Sequence, residues 1–189
     1  MIFNLPNTLT WGRILLIPVI VGVFFVPDTM FDRPTQNLVA TAVFILAAVT
    51  DWLDGWLARS LSQTSAFGAF LDPVADKLMV AASLIVLVQL NRVNAIIAFI
   101  IIGREITISA LREWMAKVGE GRSVAVATIG KMKTIAQMVA IPLLLFDGRL
   151  LGFHTGPIGT ACIDVAAALT IWSMFYYLKK AAPALARPD

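Results

Sequence analysis

The chain has 189 residues, of which 59% are hydrophobic and 14% are charged, and its formal net charge is +3 at pH 7. Because a soluble domain of this length would carry about a quarter charged residues, the composition excludes an ordinary soluble domain and indicates a membrane protein. We expect a lipid bilayer, and no nucleic acid, as its partner. The single cysteine, Cys162, excludes an intrachain disulfide.

Six apolar runs follow one another along the chain, at about 8–26, 37–57, 69–90, 94–116, 131–146 and 157–178. Each approaches the roughly 20 residues that a helix needs to cross a bilayer, and a helix satisfies its own backbone there. The predicted fold class is therefore an all-α membrane protein with six transmembrane helices. Since no repeat or linker interrupts the pattern, residues 1–189 are predicted to form a single integral-membrane domain.

The basic residues predict the orientation of these helices. With six spans, both termini lie on the same side as the turn after Arg59 and the loop that follows the fourth run. This side and its adjacent helix ends hold twelve of the fifteen Lys and Arg residues, whereas the opposite side holds Arg33, Arg92 and Arg149. By the positive-inside rule, the termini and this turn are predicted to be cytoplasmic.

Four aspartates stand within one otherwise apolar stretch: Asp51, Asp54, Asp72 and Asp76. The first two are three residues apart at the end of one run, and the last two are four apart at the start of the next. Each pair therefore shares a helix face, and we expect the two faces to converge near the cytoplasmic surface. Because unpaired carboxylates are costly in a membrane, a cation must neutralise them.

Carboxylate oxygens suit Mg²⁺ or Mn²⁺ rather than zinc, for which His and Cys ligands are missing. Two such ions about 4 Å apart can hold both reacting oxygens of a phosphoryl transfer, and a nearby carboxylate can accept the proton of an incoming hydroxyl. Gly55 and Gly68 let a ligand approach the backbone, and Arg59 suits phosphate. The alternative is an Asp–Arg network that only joins two helices.

These residues form the pattern D-x2-D-G-x2-A-R-x8-G-x3-D-x3-D, which resembles the signature of the CDP-alcohol phosphotransferase family at every specified position. The resemblance implies a homodimer in which two divalent ions bind the four aspartates at the cytoplasmic face and Asp76 is the general base. It implies that a CDP-linked lipid or alcohol transfers its phosphoryl group to a second alcohol, releasing CMP. It also implies that the CDP-lipid is bound by Asn7, Thr10, Gly55, Arg59, Ser65 and Gly68.

Three further segments, residues 4–13, 103–114 and 130–134, resemble the bacterial members of the family that use glycerol 3-phosphate as acceptor. This resemblance implies transfer of the phosphatidyl group of CDP-diacylglycerol to sn-glycerol 3-phosphate, giving phosphatidylglycerophosphate and CMP. It implies a location in the bacterial cytoplasmic (inner) membrane.

The acceptor is a dianion, so its pocket needs cations near the metals. We expect these cations to be Arg104, Arg112 and Lys131, with Lys133 the weaker candidate. The alternative is that they are interfacial side chains paired with Glu105 or Glu113.

Other functions stay open at this point. Another member of the family could use inositol phosphate or serine as acceptor. A prenyl-diphosphate transferase also uses Asp-rich metal motifs, but such enzymes are usually longer and lack the D-G-x2-A-R core. A cation transporter would distribute its acidic residues through the depth of the bilayer, whereas here they cluster at one face.

Overall fold

The computed structural model describes residues 5–60, 66–117 and 128–185 and shows a helical bundle. Its helices are α1 (Leu5–Gly22), α2 (Arg33–Ser60), α3 (Ala66–Gln89), α4 (Ala95–Lys117), α5 (Thr128–Phe146) and α6 (Thr155–Leu185). A 3-10 turn, Val23–Phe25, follows α1. Two short antiparallel strands, β1 (Arg149–Leu150) and β2 (Phe153–His154), separate α5 from α6. The all-α prediction is confirmed, and each helix overlaps one predicted apolar run.

Local polar residues set several helix ends. Asp32 caps α2, because its carboxylate accepts a hydrogen bond of 3.1 Å from the backbone N–H of Thr35. Asn91 ends α3 in the left-handed conformation, at φ 57°. The amide of Asn91 bonds to Val88 and that of Arg92 to Leu87, which is the hydrogen-bond pattern of a Schellman motif.

Three helical segments are long and apolar enough to span a membrane: Thr8–Phe25, Arg33–Asp54 and Thr155–Lys179. A shorter apolar segment, Met132–Phe146, lies in α5. In α3 and α4, charged residues such as Asp76 and Arg104 interrupt the apolar sequence. The described part of the chain therefore supports a membrane protein, while the count of six spans stays a prediction.

Contacts between the helices show that their directions alternate. At one end of the bundle, Arg13 near the start of α1 contacts Asp54 near the end of α2 and Asp76 in the first half of α3. At the other end, Arg92 after α3 contacts Asn37 near the start of α2 and Asp147 after α5. A buried apolar core containing Ile20, Phe44, Met79, Leu87, Ile101 and Ile141 lies between the two ends.

Arg92 joins three segments at the end of the bundle opposite the aspartates. Its Nη1 donates to the backbone carbonyls of Leu144 (3.1 Å) and Leu145 (2.9 Å) at the end of α5. Its Nη2 donates to Asn37 Oδ1 at 3.0 Å, and its Nε pairs with Asp147 at 3.1 Å. A cation at a helix C-terminus also stabilises the helix dipole.

Replacing Arg92 tests this arrangement. Since hydrogen bonds to a charged group contribute about 1.5–3 kcal/mol, we expect Arg92→Met to lower the thermal unfolding midpoint in detergent by about 5 °C. Asp147→Asn is the matched control, because the half-exposed Asp147 makes one of these contacts, and its midpoint should change less. An unchanged midpoint for Arg92→Met would contradict the role assigned to Arg92.

Candidate active site

The structure brings the four predicted aspartates together around one residue of α1, Arg13. Nη1 of Arg13 lies 2.7 Å from Asp51 Oδ1 and 2.7 Å from Asp76 Oδ1. Nη2 forms a short ion pair with Asp54 Oδ2. The Arg13 side chain is completely buried, so a single guanidinium connects α1, α2 and α3.

Thr10, one turn before Arg13, connects the fourth aspartate. Its Oγ1 lies 2.7 Å from Asp72 Oδ1 and 3.5 Å from Asp54 Oδ2. Thr10 and Asp54 are buried, whereas the side chains of Asp51 and Asp76 are 37% and 38% exposed. The carboxylate cluster therefore has a closed side toward α1 and an open side.

The charges of this cluster do not balance. Four carboxylates face one guanidinium, and within residues 5–60, 66–117 and 128–185 no three acidic, His or Cys side chains are already arranged to hold a metal ion. The donor set nevertheless fits a hard divalent ion, since carboxylate oxygens are the ligands that Mg²⁺ and Mn²⁺ prefer. The excess negative charge at a half-exposed site would attract such ions.

The structure describes the remaining residues predicted to bind the CDP-lipid to different extents. Gly68 is buried in α3, one turn before Asp72. Ser65 lies outside the described residues. For a further three, the structure describes the backbone within a helix and no side-chain surroundings: Asn7, Gly55 and Arg59. The same holds for Lys131, which is predicted to bind the acceptor phosphate.

A second polar cluster lies where α4, α5 and α6 meet. Arg104 is 8% exposed; its Nη2 donates to Ser173 Oγ at 3.1 Å, and its Nη1 lies 3.4 Å from Glu105 Oε1. Lys133, which is 2% exposed, forms a short ion pair with the same carboxylate. Glu105 therefore neutralises part of this positive charge, as the alternative interpretation of these cations expected.

Tyr177 of α6 supports both predicted arginines of α4. Its ring is completely buried, and the guanidinium carbons of Arg104 and Arg112 lie 5.5 and 5.2 Å from the ring centroid. Arg112 Nη2 also donates to the Tyr177 hydroxyl at 3.0 Å. The negative face of an aromatic ring attracts such cations, so Tyr177 stabilises two guanidinium groups that repel each other.

A cavity of about 300 Å³ lies beside two of the aspartates and reaches Glu105 of the second cluster. It is lined by Asp72, Pro73, Asp76, Lys77, Val80, Glu105, Thr134, Gln137 and Met138. A small polar molecule in this cavity could contact Asp72 and Asp76, Lys77, and Glu105, the carboxylate that Arg104 and Lys133 contact. Sequence reasoning identified the aspartates and the arginines but not Arg13, Lys77, Gln137 or Tyr177 as part of the site.

Two further cavities differ in character. An apolar groove of about 300 Å³ runs between α2 and α5 from Phe44 to Trp52, the neighbour of Asp51. A larger cavity of about 610 Å³ lies at the opposite end of the bundle beside Arg33 and Arg92. None of the predicted site residues lines the larger cavity, so its size does not make it the better candidate.

The sequence matches known proteins over nearly its whole length. The family model for CDP-alcohol phosphatidyltransferase matches residues 3–175. A CDP-diacylglycerol–glycerol-3-phosphate 3-phosphatidyltransferase of Pectobacterium atrosepticum is 47% identical over 188 residues, which cover 98% of this chain and 99% of that protein. Proteins with the same name from Escherichia coli K12 and Shigella flexneri are 47% identical over 181 residues, 95% of either chain. The expected resemblance is confirmed: this chain belongs to the CDP-alcohol phosphatidyltransferase family.

Proposed function

We propose that this protein transfers the phosphatidyl group of CDP-diacylglycerol to sn-glycerol 3-phosphate, giving phosphatidylglycerophosphate and CMP. The observation that carries the proposal is the cavity lined both by Asp72 and Asp76 and by Glu105, the carboxylate that Arg104 and Lys133 contact. An acceptor with a hydroxyl at one end and a phosphate at the other needs both the aspartates and these cations. The relatives at 47% identity bear the name of this activity.

In this proposal the four aspartates bind two divalent ions, Mg²⁺ or Mn²⁺. Such ions, held by these carboxylates, would supply Lewis-acid stabilisation of the negative charge on the diphosphate of the CDP-lipid. Asp76 lines the cavity and accepts the proton of the attacking hydroxyl as general base. Thr10 orients Asp72 through its hydrogen bond. The CDP group is held by Asn7, Thr10, Gly55, Arg59, Ser65 and Gly68.

Arg104, Arg112 and Lys131 bind the acceptor phosphate, with Lys133 beside them. The buried Nε atoms of Arg104 and Arg112 have no hydrogen-bond partner in the part of the chain that the structure describes. Two guanidinium groups thus retain donors for phosphate oxygens, which they bind through charge-assisted hydrogen bonds.

The apolar groove beside Trp52 suits an acyl chain of the lipid substrate, because its lining is apolar and includes Trp52, the residue after Asp51, and Met138, which also lines the cavity beside Asp76. We further propose that the protein is a homodimer in the bacterial inner membrane, with six spans and with the site and both termini in the cytoplasm. Support for this orientation comes from the twelve of fifteen basic residues on the site side.

The proposal is tested with purified protein, Mg²⁺, CDP-diacylglycerol and glycerol 3-phosphate. We expect CMP release that depends on all three additions, together with a lipid product carrying a second phosphate. Inositol phosphate and serine, offered in place of glycerol 3-phosphate, serve as acceptor controls. Absence of CMP release with glycerol 3-phosphate would contradict the proposed reaction.

Removing the proposed base should abolish turnover without unfolding the protein. We expect Asp76→Asn to lower kcat by about 10²-fold or more, since general-base catalysis contributes about 10²–10⁴-fold. Asp164→Asn is the matched control, because Asp164 is an exposed aspartate of α6. Retention of native kcat by a folded Asp76→Asn protein would reject the assignment of the base.

Arg13 should stabilise the metal-free protein. Breaking a buried ion pair by removing one partner costs about 3–5 kcal/mol, so we expect Arg13→Gln to lower the thermal unfolding midpoint in EDTA. Added Mn²⁺ should raise the midpoint of the variant more than that of the native protein, because a divalent ion replaces the missing positive charge. Equal midpoints for the two proteins in EDTA would contradict this role.

The acceptor site predicts a separation of kinetic effects. We expect Arg104→Ala to raise KM for glycerol 3-phosphate by about tenfold or more, because it removes charge-assisted hydrogen bonds. KM for CDP-diacylglycerol should change little. Lys117→Ala is the control, since Lys117 is an exposed cation of the same helix paired with Glu113. An unchanged KM for glycerol 3-phosphate would show that the acceptor phosphate binds elsewhere.

A further inference from the structure

Gln137 is a buried polar side chain of the cavity that the functions assigned above do not use. It lies on α5, one turn after Lys133, and is 3% exposed. Its Nε2 has no hydrogen-bond partner in the described part of the chain. Because buried polar groups in native proteins are nearly always paired, an unpaired amide beside a cavity indicates a ligand group that completes it.

The neighbours of Gln137 in the cavity do not accept a hydrogen bond from its Nε2. Val80 and Met138, which also line the cavity, have apolar side chains. The Glu105 carboxylate is already paired with Lys133 and Arg104. A bound molecule can therefore supply the acceptor atom that Gln137 lacks.

We infer that Gln137 Nε2 donates a hydrogen bond to the secondary hydroxyl of the acceptor, an inference that rests on the proposed function. The two ends of the acceptor are placed by charge. Its primary hydroxyl lies at Asp76, and its phosphate lies toward the cations around Lys133. Gln137 lines the same cavity as Asp76 and is one helical turn from Lys133, so the middle carbon and its hydroxyl fall beside the amide.

This contact makes Gln137 a specificity-determining residue. A site that is built to hydrogen-bond a substrate hydroxyl discriminates strongly against an analogue without it, because the buried partner is then left unpaired. Glycerol 3-phosphate should therefore be preferred to 3-hydroxypropyl phosphate, which has the same primary hydroxyl and phosphate but lacks the secondary hydroxyl.

The experiment compares these two acceptors in the native protein and in Gln137→Met, which has a similar length and no donor. The measurement is kcat/KM from CMP release. We expect the native protein to prefer glycerol 3-phosphate by at least about 10²-fold. In Gln137→Met, we expect this preference to fall at least tenfold because kcat/KM for glycerol 3-phosphate decreases. The kcat/KM for 3-hydroxypropyl phosphate and the KM for CDP-diacylglycerol should stay the same.

Two further variants control for packing. Met138→Leu changes a neighbouring cavity residue and should keep the native preference. Gln137→Leu repeats the loss of the donor with a different shape. Both Gln137 variants should keep the native thermal midpoint, since the Nε2 donor that they remove has no partner in the described part of the chain.

Each other result overturns the inference. An equal loss of kcat/KM with both acceptors would show that Gln137 contacts the phosphate or supports the fold, and an unchanged kcat/KM with both acceptors would show that it contacts neither hydroxyl nor phosphate. Absence of CMP release from the native protein with glycerol 3-phosphate would instead overturn the proposed function, and this assignment with it.

Discussion

The arrangement of the site depends on one buried guanidinium. Arg13 contacts carboxylates on α2 and on α3 while it lies on α1, so the relative positions of three helices depend on one charge. Four carboxylates this close repel one another strongly, and a charge of +1 neutralises only part of them. The same interaction that orders the aspartates therefore leaves them with an excess of negative charge. In the proposed function, this excess attracts the divalent ions while Arg13 keeps the carboxylates in place.

The buried ion pairs of Arg13 and the contacts of Arg92 lie at opposite ends of the bundle. A buried apolar cluster of the described residues lies between them. The buried hydroxyls of Thr41, Ser83 and Thr170 donate to carbonyls of their own helices, so they offer no continuous route for an ion. Because lipid provides little hydrophobic drive for helix association, the polar contacts of Arg13 at one end and Arg92 at the other fix which helices pack together.

Much of this architecture could be predicted from sequence because its signals are local. Apolar runs give helices, and spacings of three and four residues place Asp51 with Asp54 and Asp72 with Asp76 on shared faces. Arg13 was missed because its partners lie about 40 or more residues away in sequence, although a charged residue inside an apolar helix was itself a signal. Tyr177 and Gln137 carry no such signal. A tyrosine or glutamine in an apolar run gains its role only from neighbours that the tertiary structure supplies.

The site is assembled from two groups of helices with separate tasks. Helices α1, α2 and α3 carry the carboxylates and the groups that orient them, and α4, α5 and α6 carry the cations and Tyr177, while the cavity lies where the groups meet. The family signature covers only residues 51–76, which belong to α2, to α3 and to the segment between them, and in the proposed function it supplies the groups for phosphoryl transfer. In the proposed function, the choice of acceptor depends on the second group, where the cations bind the phosphate and the Gln137 amide donates to a hydroxyl. The side chains proposed to recognise the acceptor are thus ones that the signature does not contain.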